Sequence, residues 1–138
     1  MFNAHGTHLA VGGSRSIMIF DAATGMNVLR IEDIGSDISD LALNSDGTKV
    51  AISSADNVIR VFDTRTRDLL QLIPYDGGGG GLIFSEDGKR LLAAFGGDNK
   101  NNQHISQWYV DLDTLSKKLA ERLVPLVATG QGFDRVEP

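Results

Sequence analysis

Apolar and polar residues alternate along this chain in short runs of three to six, most of them bounded by clusters of Gly, Asp, Asn, Ser and Thr. Such runs predict half-buried β-strands, because successive side chains on a strand point to opposite faces. In the middle of the chain, Ile38 to Leu43 carries Ile38, Leu41 and Leu43 around Asp40. Asn44-Ser45-Asp46-Gly47 then reads as a hairpin turn, with glycine accepting the positive φ that a tight turn demands. Lys49 to Ser53, Val58 to Phe62 and Leu69 to Ile73 follow as three more strands, and Pro74 ends the last. The turns between them are Ala55-Asp56-Asn57 and Asp63 to Arg67. The same succession appears on both sides. His8–Val11, Ser16–Phe20 and Asn27–Ile31 precede it, and Leu82–Phe84, Arg90–Phe95 and Ile105–Val110 come after. Beyond Asp111 the period changes: Leu112, Leu115, Leu119 and Leu123 recur at helical spacing until Pro125.

The succession is a repeat of fixed length. The hairpin glycines Gly6, Gly47 and Gly88 are spaced by 41 residues, and the residues around them match in kind: Phe2, Leu43 and Phe84 before the turn, Leu9, Val50 and Leu91 after it. A constant period of this size means stacked supersecondary units. Four antiparallel strands per unit predict an all-β chain of consecutive propeller-type blades, a partial β-propeller. The units span about 2–33, 38–74 and 81–111, so that 1–111 forms the propeller part. Residues 112–124 read either as a short C-terminal helix or as the last strand of the third blade, and 125–138 as a tail.

Composition narrows the function classes. The chain has 138 residues, 41% of them apolar and 22% charged, which is the balance of a globular domain. No segment approaches the ~18 apolar residues of a membrane helix, and no leader peptide is visible at the N-terminus, so a cytoplasmic location without membrane contact is expected. The absence of cysteine excludes disulfides and thiolate chemistry. A net charge of −5, with basic clusters only at Arg65-Thr66-Arg67 and Lys117-Lys118, argues against nucleic acid as a partner.

Phe84-Ser85-Glu86-Asp87-Gly88-Lys89-Arg90-Leu91-Leu92 resembles the strand-turn-strand signature of the WD-repeat family. Ile19-Phe20-Asp21 and Val61-Phe62-Asp63 resemble that family's third-strand ending, with phenylalanine where tryptophan is usual. Asp56 falls where the family places the aspartate of the turn before that strand. The likeness covers about residues 2–111. It departs in lacking the Gly-His pair ahead of each first strand; Gly35-Ser36 and a glycine run stand there instead. The family's tryptophan-serine-histidine-aspartate network is therefore not available in full. The resemblance implies a protein–protein interaction scaffold, non-catalytic and without a cofactor. A weaker likeness, of 113–123 to the helical segment after the propeller of some bacterial signalling ATPases, gives the alternative: the C-terminal sensor or regulatory propeller of a larger signalling ATPase or kinase.

Fewer than three full blades are expected, since the first lacks its opening strand, whereas propellers close with 4–8. The missing blades would come from the rest of a longer chain or from further copies in a homo-oligomer. The chemistry-bearing residues give no catalytic set. The glycines 77–81 lack the Lys-Ser/Thr of a phosphate loop and precede a strand. His5 and His8 straddle a hairpin with no third metal ligand close by. Asp111 and Asp113 read as a strand end and a helix cap, and no serine has a histidine at a persuasive spacing. The best contact surface is a rim of the third blade where two irregular polar segments meet: Asp76 and Gly78 on one, and Asp98, Asn99, Lys100, Asn101, Asn102, Gln103 and His104 on the other.

Overall fold

A computed structural model of the chain describes residues 1–76, 81–96 and 104–110. They form ten strands: β1 (His8–Gly12), β2 (Ile17–Asp21), β3 (Asn27–Ile31), β4 (Ile38–Leu43), β5 (Lys49–Ser54), β6 (Val58–Asp63), β7 (Leu69–Pro74), β8 (Leu82–Phe84), β9 (Arg90–Phe95) and β10 (His104–Tyr109). Every pairing is antiparallel and between strands adjacent in sequence. The sheets are β1-β2-β3, β4-β5-β6-β7 and β8-β9-β10, which is the blade order the repeat predicts. The reading of 112–124 and of the tail lies outside the described residues.

The first blade is not wholly without its opening strand. Phe2 bridges Leu9, and the Met1 amino group and carbonyl exchange hydrogen bonds with Ala10 at 2.7 Å each. Phe2–Leu9 thus repeats the pairs Leu43–Val50 and Phe84–Leu91 one period on.

A single sheet this thin leaves both faces in water, so the blades stack. Blade 2 lies between the others. One face gives Leu43, Val50 and Ile52 to a cluster with Ala10, Ile17, Ile19 and Leu29 of blade 1. The other gives Ala42, Ala51, Ile59 and Val61 to a cluster with Phe84, Leu91, Ala93 and Phe95 of blade 3. Both joints therefore have the same construction: positions equivalent to Leu43, Val50 and Ile52 on one blade meet positions equivalent to Ala42, Ala51, Ile59 and Val61 on the blade before it. Each large side chain so buried contributes about 1.5–3 kcal/mol.

The hairpins are built alike. The Asn44 amide oxygen accepts the Lys49 N–H at 2.8 Å and its Nδ2 donates to the Thr48 hydroxyl at 3.0 Å. Asn3 does the same with His8 and Thr7, and Ser85 receives the Arg90 N–H. Gly6, Gly47 and Gly88 close these turns at φ 66°, 76° and 70°. The hairpins also join neighbouring blades: Asn3 Nδ2 donates to the Ser45 carbonyl at 2.8 Å, and Ser45 Oγ to that of Glu86 at 3.4 Å.

Gly47 carries a second constraint. A Cβ there would lie 2.3 Å from Nδ1 of His8, whereas one at Gly6 would meet nothing within 4 Å. Left-handed backbone costs a non-glycine residue about 1–2 kcal/mol, so Gly6→Ala is expected to destabilise by about that much. Gly47→Ala adds displacement of His8 and is expected to cost more, and His8→Ala in the same chain recovers the excess. Denaturant midpoints of the three variants, with His8→Ala alone as the reference for the double variant, check this; equal losses for the two glycine variants would contradict it.

Candidate interaction rim

The segments that pass from one blade to the next fasten to the turns between second and third strands, and this end of the sheets is the rim. Ile34 and Ile38 donate their N–H groups to the carbonyls of Arg15 and Ser14 at 2.9 and 2.7 Å. Ala55 N–H reaches Asp37 at 2.8 Å and Tyr75 N–H reaches Asn57 at 3.0 Å. The hairpins of Gly6, Gly47 and Gly88 occupy the opposite end.

In blade 2 the rim is held by a charged network. Arg60 Nη2 lies 2.6 Å from Oδ2 of Asp56, and its Nη1 lies 3.3 Å from Oδ1 and 3.0 Å from the hydroxyl of the buried Ser54. The same Asp56 receives the Val58 N–H, and Asn57 takes the left-handed conformation, φ 60°, that closes the turn. The aspartate that the WD-like pattern singles out is thus satisfied by an arginine on the same blade. Its Arg60 hydrogen bonds hold the Asp56 carboxyl below the ordinary value against the opposing effect of burial, and the guanidinium charge and the Val58 N–H add to the lowering.

Blade 3 meets this network through Tyr75. Its hydroxyl donates to the Ser54 carbonyl at 3.0 Å. Burial pushes the phenol upward, and the charge of Asp56 adds to this. The Tyr75 ring stacks on Phe95 with centroids 4.8 Å apart. His104 and Trp108 also pack against Phe95, with ring centroids 5.1 and 6.2 Å away. Four rings from the blade 2–blade 3 connection and from β9 and β10 thereby make one aromatic cluster at the base of the rim. Of the rim residues expected from sequence, Asp76 directly follows Tyr75 and His104 opens β10; both are exposed. Gly78, Asp98, Asn99, Lys100, Asn101, Asn102 and Gln103 lie outside the described residues.

Two contacts were not foreseen. Asp40, read only as a polar position of β4, accepts the Leu82 N–H at 2.7 Å and so ties the opening strands of blades 2 and 3. Arg60 was read only as strand; its four-residue spacing from Asp56 across a turn is the signal that was there to use. At the hairpin end, the opening strands of all three blades surround a cavity of about 270 Å³ lined chiefly by apolar residues, among them Met1, Phe2, Ala42, Leu43, Ile83 and Phe84. Among the described residues no group of three or more His, Asp or Glu is placed to hold a metal ion, and no helix is long and apolar enough to cross a membrane.

Residues 29–63 match the family described as WD domain, G-beta repeat. The matched stretch runs from β3 through the blade connection to the end of β6, and includes Asp56 and the Val61-Phe62-Asp63 ending. The chain carries a WD-type repeat in a partial β-propeller. A solved structure of Kuenenia stuttgartiensis hydrazine synthase superposes with a TM-score of 0.63 over 79% of this chain, at 22% identity. This chain covers 32% of that one, and at that identity the likeness is one of fold. No curated protein matches. With 813 solved chains alike, the architecture by itself narrows function little.

The lowered Asp56 carboxyl has a consequence for stability. A group lower in the folded than in the unfolded chain contributes fully above its unfolded value, near pH 4, and the contribution is lost as pH falls through the folded value. Asp56→Asn is therefore expected to reduce stability at pH 7 by about 1 kcal/mol, the scale of a partly exposed ion pair. Between pH 5 and pH 2 the variant is expected to lose less stability than the parent. Melting curves across that range test it, and parallel losses would show that the Arg60 pair does not hold the rim.

Proposed function

We propose that this chain is a non-catalytic protein–protein interaction scaffold that presents a polar rim on its third blade. The observation that supports the scaffold reading most is the WD repeat at 29–63, a repeat type generally used to hold protein partners. The surface is proposed from the neighbourhood of Asp76 and His104. The segment between β9 and β10 is longer than its counterpart Ala55-Asp56-Asn57 in blade 2, and the strand ends beside it rest on the Tyr75–Phe95–His104–Trp108 cluster. A stiff aromatic base under an enlarged polar connection suits a contact surface, because a rigid scaffold lets a loop meet a partner with less ordering cost.

The described polar groups agree with a supporting rather than a reactive role. Asp21, Asp46, Asp63 and Asp87 each accept backbone N–H groups of their own turns. Among the described residues no buried side-chain nitrogen or oxygen lacks a hydrogen-bond partner.

The test is comparative crosslinking. A photoreactive residue at position 76 or 104 is expected to capture one discrete protein partner from the source cell. The same residue at position 86, on the opposite end, is expected to capture it at least about tenfold less. Shortening 97–103 to the length of the blade 2 turn is expected to abolish capture at both rim positions while melting stays within a few degrees. Equal capture from both ends, or capture unaffected by the shortening, would remove the rim from the proposal.

A further inference from the structure

The two outer blades end in faces of different kinds. Blade 1 leaves uncovered the face that carries Phe2, Leu9, Val11 and Phe20. These are the repeat positions of Leu43, Val50, Ile52 and Phe62, which in blade 2 are packed on blade 1. Among the described residues, blade 3 leaves uncovered, beside Gln107 at the Val61 position, the apolar residues Ile83, Leu92, Ala94 and Ile105. These are the positions of Ala42, Ala51, Ser53 and Ile59, which in blade 2 are fully or almost fully buried under blade 3. The contrast is large: Ile59 is 0% exposed and Ile105 72%, Ala42 0% and Ile83 61%. Leu43, at 6%, compares with Phe2 at 60%. Contiguous apolar surface of this kind marks an interface.

The joints inside the chain show what fits such faces. Twice within the described residues, a face of the first kind is seated on a face of the second kind. Never is a face packed on its own kind. Among the described residues the faces left over are one of each, so blade 1 of one copy can seat on blade 3 of another as blade 2 seats on blade 1. Neither set contains a charged residue, in a chain of net charge −5. Arg90, at the margin of the blade 3 face, donates to Gln107 at 3.3 Å. Seating the copies therefore sets no like charges against each other within these sets.

We propose that two copies of this chain associate head to tail, blade 1 of each on blade 3 of the other, closing a ring of six blades. Counting the three sheets of the described residues in each copy, two copies give six blades, within the 4–8 at which propellers close, whereas three copies give more. One two-fold axis relates the two joints, and closure leaves no unpaired face to continue a filament. The cavity bounded by Met1, Phe2, Leu43, Ile83 and Phe84 becomes part of a channel completed by the second copy's opening strands.

Sedimentation equilibrium of the 138-residue chain is expected to show a single species of twice the chain mass at micromolar concentration. Val11→Glu and Ile105→Glu, both at exposed positions, are each expected to weaken association at least a hundredfold while circular dichroism keeps the parent β-sheet spectrum. Mixing the two variants restores one native joint, so the mixture is expected to associate at least tenfold more tightly than either variant alone. If Ile105→Glu lowers the folded fraction, Ala94→Lys on the same face takes its place. A monomeric parent chain, as when further blades of a longer protein are the natural occupants, would overturn the proposal. So would growth beyond the dimer with concentration, dimers lost in one variant but kept in the other, or a mixture no tighter than its components.

Discussion

The structure depends on one constraint: a small twisted sheet with two apolar faces is not stable in water until another sheet covers each of them. Blade 2 satisfies it on both sides, and its fully buried residues, Val50 and Ile52 on one face and Ile59 and Val61 on the other, mark the two joints. Burial of apolar surface is non-directional and would not by itself choose how the sheets meet. What recurs from joint to joint is the set of positions that meet: those of Leu43, Val50 and Ile52 on one blade face those of Ala51, Ile59 and Val61 on the blade before it.

Polar contacts set the relative position of blades that packing has already brought together. Asp40 to the Leu82 N–H, Asn3 to the Ser45 carbonyl and Tyr75 to the Ser54 carbonyl all cross from one blade, or its connection, to the next. Each satisfies a backbone group that would otherwise be costly to cover. Within blades, aspartates at the turns do the same over two or three residues. The Asp56–Arg60–Ser54 arrangement joins three side chains in one network, and it stands at the rim beside the aromatic cluster. Rigidity of the rim in blade 2 thus rests on a local ion pair, and in blade 3 on stacked rings.

Such a division explains why fold was far more legible than site. Strand positions follow from alternation and turn residues, which act over a few positions along the chain, and the observed bounds fall within about a residue of those read from the pattern. The opening pairing of Met1 and Phe2 with β1 was missed, although Phe2 takes its place in the repeat with Leu43 and Phe84, because two residues are too few to show the alternation of a strand. The His8–Gly47 contact and the Asp40–Leu82 bond were missed for a different reason: each joins residues about one repeat apart in neighbouring blades, and no local pattern encodes which side chains face across a joint. Of the rim, Asp76 and His104 were found beside a cluster of rings that spacing alone did not assemble.

Sequence by itself determined the unit: its length of 41 residues, its antiparallel strands, its Asp- and Gly-closed hairpins and its apolar positions. These are consequences of backbone geometry and of the two-residue period of a strand. Only the tertiary structure decided which apolar positions are covered and which are not: Ile59 and Ile105 hold the same place in the repeat, but Ile59 has β7 beside it and blade 3 against it, and among the described residues Ile105 has neither. That difference, invisible in the letters, follows from position in the stack: an inner sheet has two neighbours and an outer one has a face left over.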